Sequence, residues 1–98
     1  MFANPNKQKR YIYTLWQKSA ADGRTRTVSQ DTLFFEPHSE HGLAAIQNKI
    51  KLMQRVEYEN RKTTIKNKYA VCVLVEGESA KHWFNGLGVQ VDEASAFS

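Results

Sequence analysis

The chain has 98 residues, 41% of them hydrophobic and 24% charged, with a formal net charge of +4. These are one domain's worth of residues in globular proportions, which excludes wholesale disorder, and a chain of this size buries roughly two-thirds of its extended surface. Cys72 is the only cysteine, which excludes an intrachain disulfide and a zinc site built on thiolates; the longest apolar run, the seven residues from Tyr69 to Val75, is far too short for a membrane span, and the expected location is cytoplasmic.

Residues 1–8 offer little to pack and are expected to form a flexible leader ahead of a single domain over 9–92, with 93–98 as a frayed tail. "KQKRYIYTLWQKS" has β-branched and aromatic residues at alternate positions on both faces, as a strand does: Tyr11, Tyr13 and Leu15 on one, Ile12, Thr14 and Trp16 on the other. "AADG" supplies a turn at Gly23, and the Thr-rich "RTRTVSQDTLFF" returns as the second strand of a hairpin. Pro37 stops that strand, and Ser39 stands where it can cap the helix that follows.

From about Glu40 to Asn60 the apolar residues Leu43, Ile46, Ile50 and Met53 recur at helical spacing, which predicts a long amphipathic helix. Its opposite side carries Lys51, Arg55, Tyr58 and Lys62. "NKYAVCVLVEG" is Val-rich and lacks alternation, so it predicts a strand buried on both faces. "ESAKHWFNGLG", with Ser79 as N-cap and Gly86 or Gly88 as stop, predicts a short C-terminal helix, and "VQVDEASAFS" a brief edge strand.

The expected fold is therefore α+β, with a three- to four-stranded, mainly antiparallel sheet and element order ββαβα. A right-handed crossover through the long helix places the third strand parallel to the second and beside the first, in the order 2-1-3. One helix then covers one sheet face. The other face is open to the C-terminal segment or to another chain, which leaves room for a homodimer.

Positive charge gathers in two clusters. Residues 1–26 and 49–68 each balance to +5, whereas the tail from Glu76 onward balances to −3. Clusters of this kind bind polyanions by releasing condensed counterions, and aromatics interleaved with them favour RNA or single strands over duplex DNA. The candidate phosphate contacts are Lys9, Arg10, Arg24, Arg26, Lys51, Arg55 and Lys62, with Tyr11, Tyr13 or Tyr58 stacking bases. Arg10 and Lys18 share alternation with Ile12, Thr14 and Trp16, so either face of the first strand can serve. The competing reading makes the lysines a solvated helix face and the aromatics core.

His38 and His41, in "EPHSEH", lack the helical zincin spacing and are best read as polar loop residues. His82 flanks Trp83 and Phe84 in a structural role, and Cys72 lies in an apolar run as a buried inert thiol. No cofactor motif is present, and a small hydrolase using His38 and His41 ranks last among the expectations, which points to binding rather than to an enzyme. The first expectation is a small basic RNA-binding accessory protein. The alternative is a stoichiometric protein inhibitor, such as a phage-type antitoxin or anti-defence protein, that blocks an enzyme, a ribonuclease included, with or without bound RNA.

Overall fold

A computed structural model of the chain describes residues 9–61 and 67–97. Five strands and one helix follow in the order β1 (Tyr11–Lys18), β2 (Thr25–Leu33), α1 (Glu40–Arg61), β3 (Lys68–Val75), β4 (Lys81–Phe84) and β5 (Gln90–Val91), ending in a 3-10 turn at Glu93–Ser95. The sheet order is β2-β1-β3-β4-β5, with every neighbouring pair antiparallel. The architecture is α+β, with β1 between β2 and β3 and antiparallel to both. No helix among the described residues is long and apolar enough to cross a membrane.

Period-2 alternation sorts the side chains of β1. Tyr11, Tyr13 and Leu15 turn toward α1 and join Tyr69, Val71, Val73, Val75 and Phe84 against Ile46 and Ile50 in one core. Ile12, Thr14, Trp16 and Lys18 take the opposite face. The middle strand β3 is buried on both sides from Tyr69 to Val73, which is why its sequence shows no alternation.

Turns set the register. Gly23 has φ of 71° in the β1–β2 turn, where the Asp22 carboxylate accepts the Arg24 amide at 2.9 Å. Ser39 caps α1: its hydroxyl accepts the Gly42 amide at 3.1 Å and donates to the Glu36 carbonyl at 2.6 Å. The helix enters so close to this loop that a Cβ on Gly42 would lie 2.7 Å from the Glu36 carbonyl carbon and 2.8 Å from Pro37 Cα.

A polar chain crosses the far end of the core. Arg26 Nε donates to Gln17 Oε1 at 2.8 Å, Gln17 Nε2 to the Tyr69 hydroxyl at 3.0 Å, and Tyr69 to Glu57 Oε1 at 2.8 Å. Asn67 Nδ2 also donates to Glu57 Oε1, at 2.9 Å. Gln17, Tyr69 and Glu57 are all buried.

The C-terminal third departs from the sequence expectation. Residues expected as a short helix form strand β4, so the sheet has five strands and the element order is ββαβββ. "KHWF" alternates: Lys81 and Trp83 pair with Leu74 and Cys72 on one face, His82 and Phe84 with Val73 and Val71 on the other. Pairing with the exposed edge of β3 outweighs a weak helical preference over four residues. Gly88, at φ 80°, serves a hairpin turn rather than a helix end, as Gly77, at φ 87°, serves the turn between β3 and β4; in the Gly88 turn, Asn85 Oδ1 accepts the amides of Leu87 and Val89. The segment expected to fray begins with the 3-10 turn, which Asp92 caps through the Ser95 amide at 3.0 Å, and Ala96 is buried.

Candidate nucleic-acid interface

The helix covers only one side of the sheet, and register fixes what the other side shows. Across that face run Thr14, Cys72, Trp83 and Val91 in one row and Ile12, Leu74 and Lys81 in the next, with Trp16 beside Ala70 and Lys18 beside Lys68. The Trp16 and Trp83 ring centroids are 6.2 Å apart, and Phe97, delivered by the terminal turn, sits 6.4 Å from Trp83 edge-on. These three aromatics, with Thr25, Lys81 and Glu93, line a cleft of about 330 Å³. Both tryptophans of the chain are in it.

Cations frame this aromatic row. Lys18 and Lys68 are direct cross-strand partners at one end, Lys81 flanks Trp83, and Arg10 stands at the other end beside Ile12 and Leu74. Like charges directly opposite on a sheet repel. Among the described residues neither Lys18 nor Lys68 has a carboxylate partner. Trp83 Nε1 is buried and has no hydrogen-bond partner among the described residues. The Cys72 thiol beneath the row has its pKa raised, first by burial, with Lys81 lowering and Glu93 raising it further, so it stays a protonated, inert floor.

The residues singled out from sequence are divided among separate surfaces. Tyr11 and Tyr13 are corrected outright: both are buried under α1, Tyr13 completely, and the Tyr13 hydroxyl donates to the Phe35 carbonyl, so neither ring is free to stack on a base. Burial pushes both phenols up, Tyr13 to about 12. Lys9 and Arg10 precede β1 and are exposed, while Arg24 lies in the turn at the other end of the hairpin, about 25 Å away along an eight-residue strand. Arg26 points to the helix side, where Gln17 holds it.

Lys51, Arg55 and Tyr58 are exposed on α1, behind the sheet from the aromatic row, and Arg55 pairs with Glu59 at 3.2 Å. A ligand lying on the open face cannot reach them. Lys62 lies outside the described residues. The sequence reading missed Trp83, Phe97, Lys68 and Lys81; the signal for three of them was the two-residue alternation of "KHWF" and of the strand beginning at Lys68.

His38 and His41 separate onto different aromatic partners, Phe84 at 5.9 Å and Phe35 at 5.3 Å between ring centroids. His82 instead approaches Glu78 at 3.6 Å and Gln90 at 3.3 Å. Among the described residues no three His, Cys, Asp or Glu side chains gather as metal ligands do. Comparison of the chain with protein-family models, curated proteins and solved structures gives no match in any of the three.

Proposed function

We propose that the protein is a non-enzymatic binder of single-stranded nucleic acid, RNA in the first place, acting in the cytoplasm through the sheet face that α1 leaves open. The observation that carries this reading is the Trp16–Trp83–Phe97 row framed by Lys18, Lys68, Lys81 and Arg10 on one face. Aromatic faces stack on splayed bases whatever their sequence, while flanking cations follow the phosphates. The unrelieved Lys18–Lys68 repulsion suits an anion lying between them. Arg24, in the adjoining turn, extends the basic track; the helix cations belong to a different surface and are not part of the site.

The test is titration of tryptophan fluorescence with a short single-stranded RNA, since both indoles sit in the row. Quenching is expected, with affinity falling steeply as salt rises. Trp16→Ala is expected to weaken binding by about 5- to 150-fold, the equivalent of about 1–3 kcal/mol for one stacked base. Lys51→Glu with Arg55→Glu is expected to leave it within about threefold, because those cations face away. No quenching at low salt, or loss with the helix pair alone, refutes the reading.

A second reading, the stoichiometric inhibitor, rests on Leu87 and Val89, which stand 79% and 55% exposed in the β4–β5 turn. Exposed apolar side chains on a rigid turn are the kind of anchor a protein partner buries. A pulldown that retains one protein partner after nuclease treatment, and loses it with Leu87→Ser, favours that reading.

A further inference from the structure

The sheet has two edges, and they are unlike. The β5 edge is two residues long and passes directly into the terminal turn. The β2 edge is nine residues long, with its outer backbone groups facing no other strand among the described residues, and Thr25–Leu33 contains no lysine or proline to discourage pairing. We propose that β2 is the seam of a symmetric dimer, formed by antiparallel pairing with β2 of a second copy.

The register follows from the bulge. Ser29, Asp31 and Leu33 lie opposite the helix-side residues Leu15, Tyr13 and Tyr11, and Arg26 lies opposite Gln17; Thr25, Thr27, Gln30 and Thr32 take the open face. The alternation is offset at Val28, the extra residue, which packs against the core on the helix side beside Ser29. Directly opposed residues in an antiparallel pair share a face. Along the whole strand one self-pairing meets that condition: Arg26 opposite the second copy's Asp31, Thr27 opposite its Gln30, Thr25 opposite its Thr32, and Val28 opposite its Ser29. A two-residue slip either way puts a helix-side residue against an open-face one at the bulge.

That register sets Arg26 opposite Asp31 twice about the two-fold axis, where Asp31, already paired with Lys49 of its own chain, meets a second cation. It also covers apolar surface. Phe34 and Phe35 follow β2 and stand 55% and 43% exposed, and continuing the register brings the second copy's turn at Asp22–Gly23 against them. Space permits the arrangement, because α1 packs over β1 and β3. With strands about 4.8 Å apart, the two helices lie about 19 Å apart on the same side, wider than a helix diameter of about 10–12 Å. The dimer is a ten-stranded sheet whose two open faces are continuous, and it stands or falls independently of nucleic-acid binding.

The test is sedimentation velocity over a concentration series, with far-UV circular dichroism confirming that each variant folds. The wild-type chain is expected to dimerise. Arg26→Asp and Asp31→Arg are each expected to weaken association about tenfold, and the double variant to restore it to within about threefold. Cysteine cross-linking fixes the register independently of any loss of stability. A mixture of Thr27→Cys and Gln30→Cys chains is expected to form a mixed disulfide, since opposed Cα atoms lie about 4.5–5.5 Å apart. Thr27→Cys alone is expected to form none, its two copies being about 10 Å apart along the strands. A wild-type chain that stays monomeric, or a dimer unaffected by the charge variants and not cross-linked in the mixture, overturns the proposal.

Discussion

Gly42→Ala separates local helix preference from tertiary fit. Alanine is about 1 kcal/mol better than glycine inside a helix, so helix preference alone predicts stabilisation. The structure predicts the reverse, because the new Cβ meets the Glu36 carbonyl and the Pro37 backbone at separations that real Cβ atoms essentially never show. That carbonyl cannot retreat freely: it accepts both the Ser39 amide at 3.0 Å and the Ser39 hydroxyl at 2.6 Å, and Pro37 is buried. Moving the loop sacrifices those two bonds and the Ser39 cap, at about 1 kcal/mol each. Setting about 3 kcal/mol of loss against about 1 kcal/mol of helix gain leaves a net destabilisation of about 2 kcal/mol. In a chain of this size that lowers Tm by about 8–16 °C. Urea titration and thermal melts followed by circular dichroism measure both quantities. A Gly42→Ala protein as stable as the wild type would show that the loop relaxes without cost and that the close approach has no energetic weight.

Alkaline pH should unfold the protein through its core tyrosines. Burial raises Tyr11, Tyr13 and Tyr69 above the ordinary 10.0, Tyr13 to about 12, so the native state favours the neutral phenols; their stabilisation is complete below pH 10 and is lost as pH rises toward 12. Urea midpoints falling between pH 10 and 12, with a shallower fall in Tyr13→Phe, are the expected result. Tyr69→Phe removes the donor to Glu57 and the acceptor for Gln17, and a loss of about 1–3 kcal/mol in the same titration is expected. Lys68→Glu should move stability and binding in opposite directions: replacing the repulsion with Lys18 by an attraction raises stability by about 0.2–1 kcal/mol, while RNA affinity falls.

How far the sequence was legible depended on how much of the signal was local. The hairpin, the long helix and the buried third strand each carried their own periodicity or turn residue: Gly23, Ser39, and the unbroken run from Tyr69 to Val75. The fourth strand carried only the two-residue alternation of "KHWF", too few residues to tell a strand from a helical turn, and it is a strand only where β3 offers an open edge. The candidate site was less legible for the same reason. Which face of β1 lies under the helix is decided by packing over Ile46 and Ile50, not by β1, whose two faces are both aromatic. Tyr11 and Tyr13 therefore went to the core and Trp16 to the surface. Trp83 and Phe97 reached Trp16 only through the unforeseen strand and the terminal turn.

The chain of hydrogen bonds from Arg26 to Glu57 has one permitted sense. A guanidinium only donates and a carboxylate only accepts, so the Gln17 amide must present its oxygen to β2 and its nitrogen to β3, and the Tyr69 hydroxyl must spend its proton on Glu57. This matters because the outer hairpin strand is polar and mostly exposed, with Val28 and Leu33 alone packing against the core, and such a strand is weakly held in register by burial. A slip of β1 by one residue would send Gln17 to the open face and leave the buried Tyr69 hydroxyl without its amide donor. The chain thus acts as a key cut for one alignment, selecting the native pairing over its slipped competitors.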